Sequence, residues 1–223
     1  MSEWTNDVSV DPDCLLPGLL AKAVLRDGTA VRVRAIRPDD KERLHAAFAR
    51  LSPRSVYQRF LHPVNELTAD DLRRFTEIDF DDHVAIALAV GAGSDERLIA
   101  VGRYVRVATG AELAEVAFTV VDDYQGRGAA PLLLRELIAI ARRRGVRKFL
   151  AHVLSENGSM LEVFRRANMP LRESMDHSMR RLVLDLAAVP VRRAHRFDFR
   201  KAIRTQWRRF ADDSTGAPGY ARG

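Results

Sequence analysis

The chain of 223 residues is 47% hydrophobic, enough to bury a substantial core as one large domain or two small ones, and it carries a formal net charge of +6. A single cysteine, Cys14, excludes an internal disulfide, and no Cys/His cluster has the spacing of a zinc site. No apolar run reaches the roughly 18 residues of a membrane span and the N-terminus does not resemble a signal peptide, so we predict a soluble, cytoplasmic protein.

The N-terminal part of the chain shows strand and helix patterns behind a polar arm. In order, these patterns predict an arm at 1–20, a strand at 29–36, and helices at 41–51 and 68–78. Asp39 or Asp40 is the candidate N-cap of the first helix and Thr68 that of the second, because their side-chain oxygens can accept from the first turn. We place the main domain at 21–189.

The central and C-terminal parts of this domain alternate strands with helices. The patterns predict strands at 83–91, 97–107 and 113–121, a helix ending near 144, a strand at 148–154, a helix at 159–167 and a strand at 178–186. The first three strands are joined by short connections, which favours an antiparallel meander. Gly145 is placed to end the long helix, because glycine readily adopts a left-handed conformation.

The C-terminal tail at 190–223 carries the charge imbalance of the chain. It contains nine Arg and Lys against three Asp, so that residues 1–189 sum to zero. The tail could bind nucleic acid, an acidic protein or an anionic surface. A partly helical tail that packs on a domain is the alternative, because Phe199, Ile203 and Phe210 recur at helical spacing. We favour the helix, because no nucleic-acid-binding motif accompanies the charge.

A turn of small residues connects the third strand of the meander to the long helix. Gly126 and Gly128, followed by Ala129 and Ala130, leave backbone N–H groups uncovered where the helix begins, which is typical of a phosphate cradle. No Gly-Lys-Ser/Thr follows, which excludes the P-loop motif, and Pro131 stands where G-x-G-x-x-G requires its third glycine. Two interpretations remain at this point, a phosphate cradle of another kind and a glycine-rich connection that binds no ligand.

The hexamer QGRGAA at 125–130 matches Q-x-x-G-x-A, and through it the chain resembles the GNAT superfamily of N-acetyltransferases. The segments VRAIRPDD, EVAFTVVDDYQGRGAA and HVLSENGSMLEVFRRANM follow in the order of that family, so the resemblance spans about 30–186. IRPDD, ARLSPRSVYQRF and AEVAFTVVDDYQGRG look like the catalytic domain of bacterial protein-lysine acetyltransferases that act on acetyl-CoA synthetase. The resemblance implies an α/β (α+β) fold with a mixed, mostly antiparallel central sheet flanked by helices.

The resemblance also implies acetyl-CoA as the cosubstrate and a set of residues that hold it. Phe118 and Val120 would meet the pantetheine arm through their backbones, and the Val120 amide would polarise the thioester carbonyl. Asn157 would hydrogen-bond the pantetheine, although it could equally be a turn or cap residue. The residues implied for the pyrophosphate loop are Gln125, Gly126, Arg127, Gly128, Ala129 and Ala130.

Glu115 is the candidate general base. A lysine amine has a pKa of about 10.4 and must lose a proton before it attacks a thioester. In the predicted strand, Glu115 shares one face with the small residues Ala117 and Thr119, and the similar protein-lysine acetyltransferases place their base in this AEVAF context. The alternative is a surface acid or a salt bridge, for example with Arg103. We therefore predict direct transfer of acetyl to an amine, most plausibly a protein lysine.

Two positions depart from the pattern of the family, and two others carry only a structural prediction. Phe164 stands where many relatives have a tyrosine that protonates the leaving thiolate, so the general acid is undefined. Asn168 replaces a common glycine, and asparagine tolerates the left-handed conformation. We expect Tyr124 to pack and His152 to be a structural histidine.

The remaining candidate residues concern the acceptor. Tyr57, Arg59 and Phe60 either line a substrate groove or pack it, and His83 is expected in an ion pair or strand cap with a possible role at the substrate site. Asp79, Asp81 and Asp82 could form an acidic rim for a cationic substrate, but we favour a solvated loop, and they do not have the geometry of a metal site. Two other functions stay open, namely acetylation of a small amine or polyamine, and a noncatalytic acyl-CoA-binding module with a nucleic-acid-binding tail.

Overall fold

The computed structural model describes residues 21–187, so the predicted arm with Cys14 and the basic tail lie outside the described residues. The strands are β1 (Ala21–Val24), β2 (Ala30–Ala35), β3 (His83–Val90), β4 (Arg97–Arg106), β5 (Leu113–Val120), β6 (Lys148–Leu154), β7 (Leu171–Asp176) and β8 (Met179–Asp185). The helices are α1 (Lys41–Phe48), α2 (Pro53–Phe60), α3 (Ala69–Thr76), α4 (Ala129–Arg143) and α5 (Gly158–Arg165). None of the described helices has both the length and the apolar composition needed to cross a bilayer.

The eight strands form one sheet in the order β1-β2-β3-β4-β5-β6-β8-β7. Every neighbouring pair is antiparallel except β5 and β6, which confirms the mostly antiparallel mixed sheet and the predicted meander of β3, β4 and β5. After His83 the sequence of β3 is apolar and buried, which fits its position inside the sheet, because both of its faces are covered. Pairing between β5 and β6 is limited to the register from Leu113 with Lys148 to Glu115 with Leu150.

Helices cover both faces of the sheet and bury two hydrophobic clusters. On one face, α4 packs through Leu133, Leu137 and Ile140, which recur at helical spacing and are fully buried. Phe164 of α5 completes this cluster. On the other face, α1, α2 and α3 pack on the central strands around Phe48 and neighbouring apolar residues. The two faces of β5 are therefore different chemical environments, one filled by α4 and α5 and the other facing α1 to α3.

The predicted boundaries agree with the structure to within a few residues, but three elements were not predicted. The strands β1 and β7 and the helix α2 lie in segments for which we predicted no helix or strand. Thr68 is the N-cap of α3 as predicted and accepts from the Asp71 N–H at 3.1 Å. Asp40, one of the two predicted candidates, stands at the N-cap position of α1, but its side chain makes no capping hydrogen bond to that helix. Asp40 is instead fully buried in a two-bond ion pair with Arg34, at 2.6 and 2.7 Å.

Candidate functional site

The site lies where β5 and β6 separate. Because these parallel strands pair only as far as Glu115 and Leu150, their C-terminal halves diverge and leave a gap in the sheet. A cavity of about 810 Å³ opens there, within the range of small-molecule and cofactor sites. Its walls include the second half of β5, the turn before α4, the end of β6 and residues of α5.

Backbone groups of β5 face this gap. The N–H of Val121 donates to the Ile99 carbonyl of β4 at 2.9 Å. Since successive N–H groups of a strand point to opposite sides, those of Val120 and Phe118 point away from β4 and toward the gap. The Phe118 side chain is buried against Phe164 with ring centroids 6.1 Å apart, and both residues line the cavity.

The turn before α4 presents uncovered donors to the same cavity. Within the described residues, the backbone N–H groups of Gly126, Arg127, Gly128, Ala129 and Ala130 donate no hydrogen bond, and all five residues line the cavity. Both glycines have positive φ, 72° at 126 and 92° at 128. Unpaired N–H groups at a helix N-terminus are the donors that bind phosphate groups. This arrangement fits the pyrophosphate of a coenzyme A thioester.

Two sets of contacts hold this turn in place. The Gln125 side-chain amide donates to Ser55 Oγ of α2 at 3.0 Å and to the Val120 carbonyl at 3.2 Å, so Gln125 joins the turn to its surroundings. From the β1–β2 hairpin, Asp27 pairs with Arg127 at 2.7 Å. Hydrogen bonds from Thr29, together with Arg127, hold the pKa of Asp27 below its ordinary value. No local sequence signal predicted the hairpin contact, because it joins residues 100 positions apart.

Asn157 is buried at the start of α5. Its Oδ1 accepts from the Met160 N–H at 3.1 Å and from Ser159 Oγ at 3.0 Å, so it is the N-cap of the helix. It also lines the cavity. The structure thus shows the capping alternative and leaves the predicted contact with pantetheine as a proposal.

Glu115 and His152 lie together on the face of the sheet opposite α4. The Glu115 side chain is 57% exposed, lines the cavity, and has its Oε1 3.6 Å from His152 Nδ1. The proposed alternative of a salt bridge with Arg103 is not found, because Arg103 donates instead to His83 Nε2 at 3.2 Å. A carboxylate that is open to the cavity beside an imidazole can accept a proton from a bound amine.

The other predicted acceptor residues divide into those that line a cavity and those that pair elsewhere. Arg59 lines the large cavity and Phe60 lines a smaller adjoining one, whereas Tyr57 lines neither. The acids Asp79, Asp81 and Asp82 also line neither cavity. They cap local N–H groups or face Arg106 and Arg144, which fits the favoured loop and not an acidic rim around the substrate. Within 21–187, no group of three His, Cys, Asp or Glu could hold a metal.

Two aromatic residues that bear on the leaving group, Phe164 and Tyr124, both line the cavity. Phe164 is fully buried and carries no proton to donate. Tyr124 packs on the core and is flanked by the guanidinium carbons of Arg127 and Arg50, at 5.0 and 5.8 Å from the ring centroid. This agrees with the prediction that Tyr124 packs. Asn168 has a φ of 55°, the left-handed conformation expected of it.

Comparison with known proteins identifies relatives of this chain. The model of the acetyltransferase (GNAT) family matches residues 53–169, which include Glu115, the turn and Asn157. The acetyltransferase Pat of Mycolicibacterium smegmatis is 37% identical over 142 residues, which are 64% of this chain and 42% of Pat. The acetyltransferase PA5475 of Pseudomonas aeruginosa is 32% identical over 62% of this chain and 74% of that protein. The chain thus spans less than half of Pat.

Two solved structures of similar fold superpose on this chain. The GNAT domain of S. lividans PAT superposes with a TM-score of 0.68 and 42% identity, over 74% of this chain and 96% of that domain. A cAMP-binding acyltransferase from Mycobacterium smegmatis superposes with a TM-score of 0.57 and 28% identity, over 88% of this chain and 56% of that protein. The mixed sheet with its flanking helices is the fold shared by these proteins.

Proposed function

This chain belongs to the acetyltransferase (GNAT) family, and we propose that it transfers an acetyl group from acetyl-CoA to the side-chain amine of a protein lysine, with Glu115 as the general base. One observation carries the proposal. An exposed carboxylate and an uncovered row of backbone donors line the same cavity, at the point where β5 and β6 separate. The family membership, the relatives named acetyltransferases and the resemblance of AEVAF to protein-lysine acetyltransferases support the reaction and the acceptor.

The residues of the cavity fit an acyl-CoA. Five unpaired N–H groups at 126–130 suit a pyrophosphate, and the backbone of Phe118 and Val120 can bond an extended pantetheine arm as a missing strand would. The amide side chain of Asn157 lies along the same path. When bound, acetyl-CoA supplies an activated acetyl group on a thioester. A ligand that enters the gap satisfies backbone groups that the diverging strands leave unpaired.

Residues of the chain itself can remove the proton from the amine and polarise the thioester carbonyl. A lysine docked on the Glu115 face is protonated at neutral pH, so Glu115 accepts its proton, directly or through a water, and leaves a neutral amine. His152 lies beside Glu115 and can orient it or relay the proton toward solvent. The Val120 N–H is directed at the gap and can stabilise negative charge that develops on the carbonyl oxygen during attack. The thiolate leaves without a dedicated acid, because its pKa of about 8.5 allows solvent to protonate it.

The proposal is tested by Glu115→Gln, which removes the basic oxygen and keeps the shape. We expect acetyl transfer to fall by about 10²- to 10⁴-fold, the usual contribution of a general base, while the Kd for acetyl-CoA changes little. Turnover is followed by release of free coenzyme A and Kd by calorimetry. Glu112→Gln is the matched control, because Glu112 is an exposed acid next to β5 that does not line the cavity. Equal loss of transfer in both variants would contradict the assignment of Glu115.

The acceptor is identified by incubating the protein and acetyl-CoA with a cell lysate and mapping acetyl-lysine by mass spectrometry. New acetylation of defined lysines, absent with Glu115→Gln, supports the protein acceptor. Transfer only to added polyamines would instead assign the small-amine function. Tight acetyl-CoA binding without transfer to any amine would assign the noncatalytic alternative.

A further inference from the structure

Two arginines lie beside the candidate base in an unusually apolar setting. Arg103 of β4 is 8% exposed, and its guanidinium carbon lies 4.5 Å from the centroid of the Phe75 ring. Arg59 of α2 lies 5.0 Å from the centroid of Phe60 in the same way. The two rings pack against each other with centroids 6.4 Å apart. The two guanidinium groups therefore sit on adjoining aromatic rings, on the face of the sheet that carries Glu115.

Neither guanidinium has a carboxylate bound to it within the described residues. Arg103 donates to the imidazole of His83 and, at 3.5 Å, to the Phe75 carbonyl, whereas no hydrogen bond or ion pair is formed by Arg59. Burial lowers the pKa of Arg103 to about 9, and repulsion from Arg59 contributes to the shift. Burial also lowers the pKa of Arg59, opposed only by the charge of Glu115. Arg103 is buried and Arg59 is half-buried, and neither has an anionic partner among the described residues, so a carboxylate that reached them would meet two uncompensated positive charges.

The space between these arginines is connected to the catalytic cavity. A small pocket of about 40 Å³ is lined by apolar residues together with Arg59, Arg103 and Thr119. Arg59 and Thr119 also line the large cavity that holds Glu115. One buried water needs about 10–15 Å³ of such space, so the pocket has room for a small group with two oxygens, such as a carboxylate. A ligand in the acceptor part of the cavity can therefore reach it past Thr119.

We propose that the acceptor cleft contains an oxyanion-binding site between Arg59 and Arg103, so that the preferred acceptor is an amine with a carboxylate close to the reacting nitrogen. This inference rests on the proposed function, because it specifies the acceptor of the same site. In a protein substrate the carboxylate belongs to an Asp or Glu beside the lysine. A carboxylate desolvated between two guanidinium groups forms charge-assisted hydrogen bonds, the strong class of such bonds. The charge of Glu115 then remains free for the amine.

The test measures binding, so that it does not depend on turnover. Short peptides blocked at both ends carry an acetylated lysine followed by Glu or by Gln, and their Kd values are measured by calorimetry. A third peptide has Gln after the lysine and a free C-terminal carboxylate, which distinguishes the two sources of the anion. We expect the wild-type protein to bind a peptide with a carboxylate about 10- to 100-fold more tightly than the blocked Gln peptide, as for a hydrogen-bonded charge.

Arg59→Gln is the test variant, and Arg54→Gln, an exposed change on the same helix, is its matched control. The preference for a carboxylate should disappear in the first variant and persist in the second, with unchanged thermal melting in both. Equal binding of all three peptides by the wild-type protein, or a preference that survives in Arg59→Gln, overturns the inference. Binding that shows the preference while no amine is ever acetylated would contradict the proposed function and leave the oxyanion site supported.

Discussion

Asn157 shows how one side chain can serve both the fold and the cavity. Its Oδ1 caps α5 through Met160 and Ser159, and the residue lines the cavity. We expect Asn157→Ala to lower the free energy of unfolding by about 1 kcal/mol, because N-cap residues contribute that much. Asn157→Asp keeps the capping oxygen and should keep the stability. Urea unfolding of the two variants measures both values.

The same pair of variants separates capping from cosubstrate binding. If the amide nitrogen of Asn157 bonds the pantetheine arm, Asn157→Asp should weaken acetyl-CoA binding about tenfold despite its normal stability, since a typical lost hydrogen bond costs about 1 kcal/mol or more. Calorimetric titration with acetyl-CoA gives the affinity. An unchanged Kd in Asn157→Asp would limit the residue to its role as a cap.

His83 gives the folded protein a definite dependence on pH. Burial, together with the adjacent Arg103, lowers the pKa of His83 to about 4, below its ordinary value of 6.5. As the pH falls below about 6.5, the unfolded chain binds a proton at this residue and the folded chain does not. The free energy of unfolding should therefore decrease between pH 6.5 and pH 4, and the contribution of His83 should be fully present above pH 6.5.

The measurement for His83 is urea unfolding at pH 7 and pH 5. In His83→Gln, which retains an oxygen to accept from Arg103, the difference in unfolding free energy between the two pH values should be smaller than in the wild type. His62→Gln removes an exposed imidazole and serves as the control. The assignment fails if the His83 and His62 variants have the same pH dependence.

At the scale of elements, the turn before α4 requires glycine for its conformation. Gly128 has a φ of 92°, and an added Cβ would lie 3.3 Å from Cγ of Arg26 in the β1–β2 hairpin. We expect Gly128→Ala to cost about 1–2 kcal/mol of unfolding free energy, because a left-handed conformation is unfavourable for other residues. Distortion of the uncovered N–H groups should also weaken acetyl-CoA binding.

A second glycine separates these two effects of Gly128→Ala. Gly110 also has a positive φ, 70°, with nothing within 4 Å of an added Cβ, and it does not line the cavity. Gly110→Ala should lose stability by a similar mechanism while its Kd for acetyl-CoA stays at the wild-type value. Thermal melting and calorimetry provide the two measurements. Normal acetyl-CoA affinity in Gly128→Ala would contradict the role proposed for the turn.

The elements that sequence patterns missed had weak or misleading signals. β7 exposes nearly all of its residues, so it lacks the apolar alternation by which strands are recognised. β1 has only four residues. For α2 the signals were present in the sequence but were not used, because Ser52 caps the helix and Pro53 occupies its first position. The long amphipathic α4 and the apolar core strands carried strong periodicity and were predicted.

At the scale of the whole molecule, the sequence identified the candidate site residues one by one but did not predict how they are arranged in space. The hexamer at 125–130 and the acid on β5 were recognised from local sequence. The divergence of β5 from β6, the hairpin that holds Arg127, and the pairing of Arg103 with His83 all join distant parts of the chain. Such contacts depend on the order of strands in the sheet and on packing, and no short segment of the sequence shows a pattern for them. The oxyanion site became visible only when α2, α3 and β4 were placed together.

The charge distribution yields a prediction for the whole chain. Residues between 21 and 187 supply two hydrophobic clusters and the walls described for the cavity, and we predict that removal of 190–223 leaves the Kd for acetyl-CoA and the rate of acetyl transfer to a small lysine peptide within about twofold of the full chain. The same removal takes the formal net charge from +6 to zero. Any affinity of the full chain for nucleic acid that falls steeply with salt should therefore disappear in the shortened chain. Titrations of both chains with duplex DNA at two salt concentrations measure this salt-dependent affinity. If the shortened chain instead loses acetyl-CoA binding, the tail contributes to the cosubstrate site and the boundary at 189 is wrong.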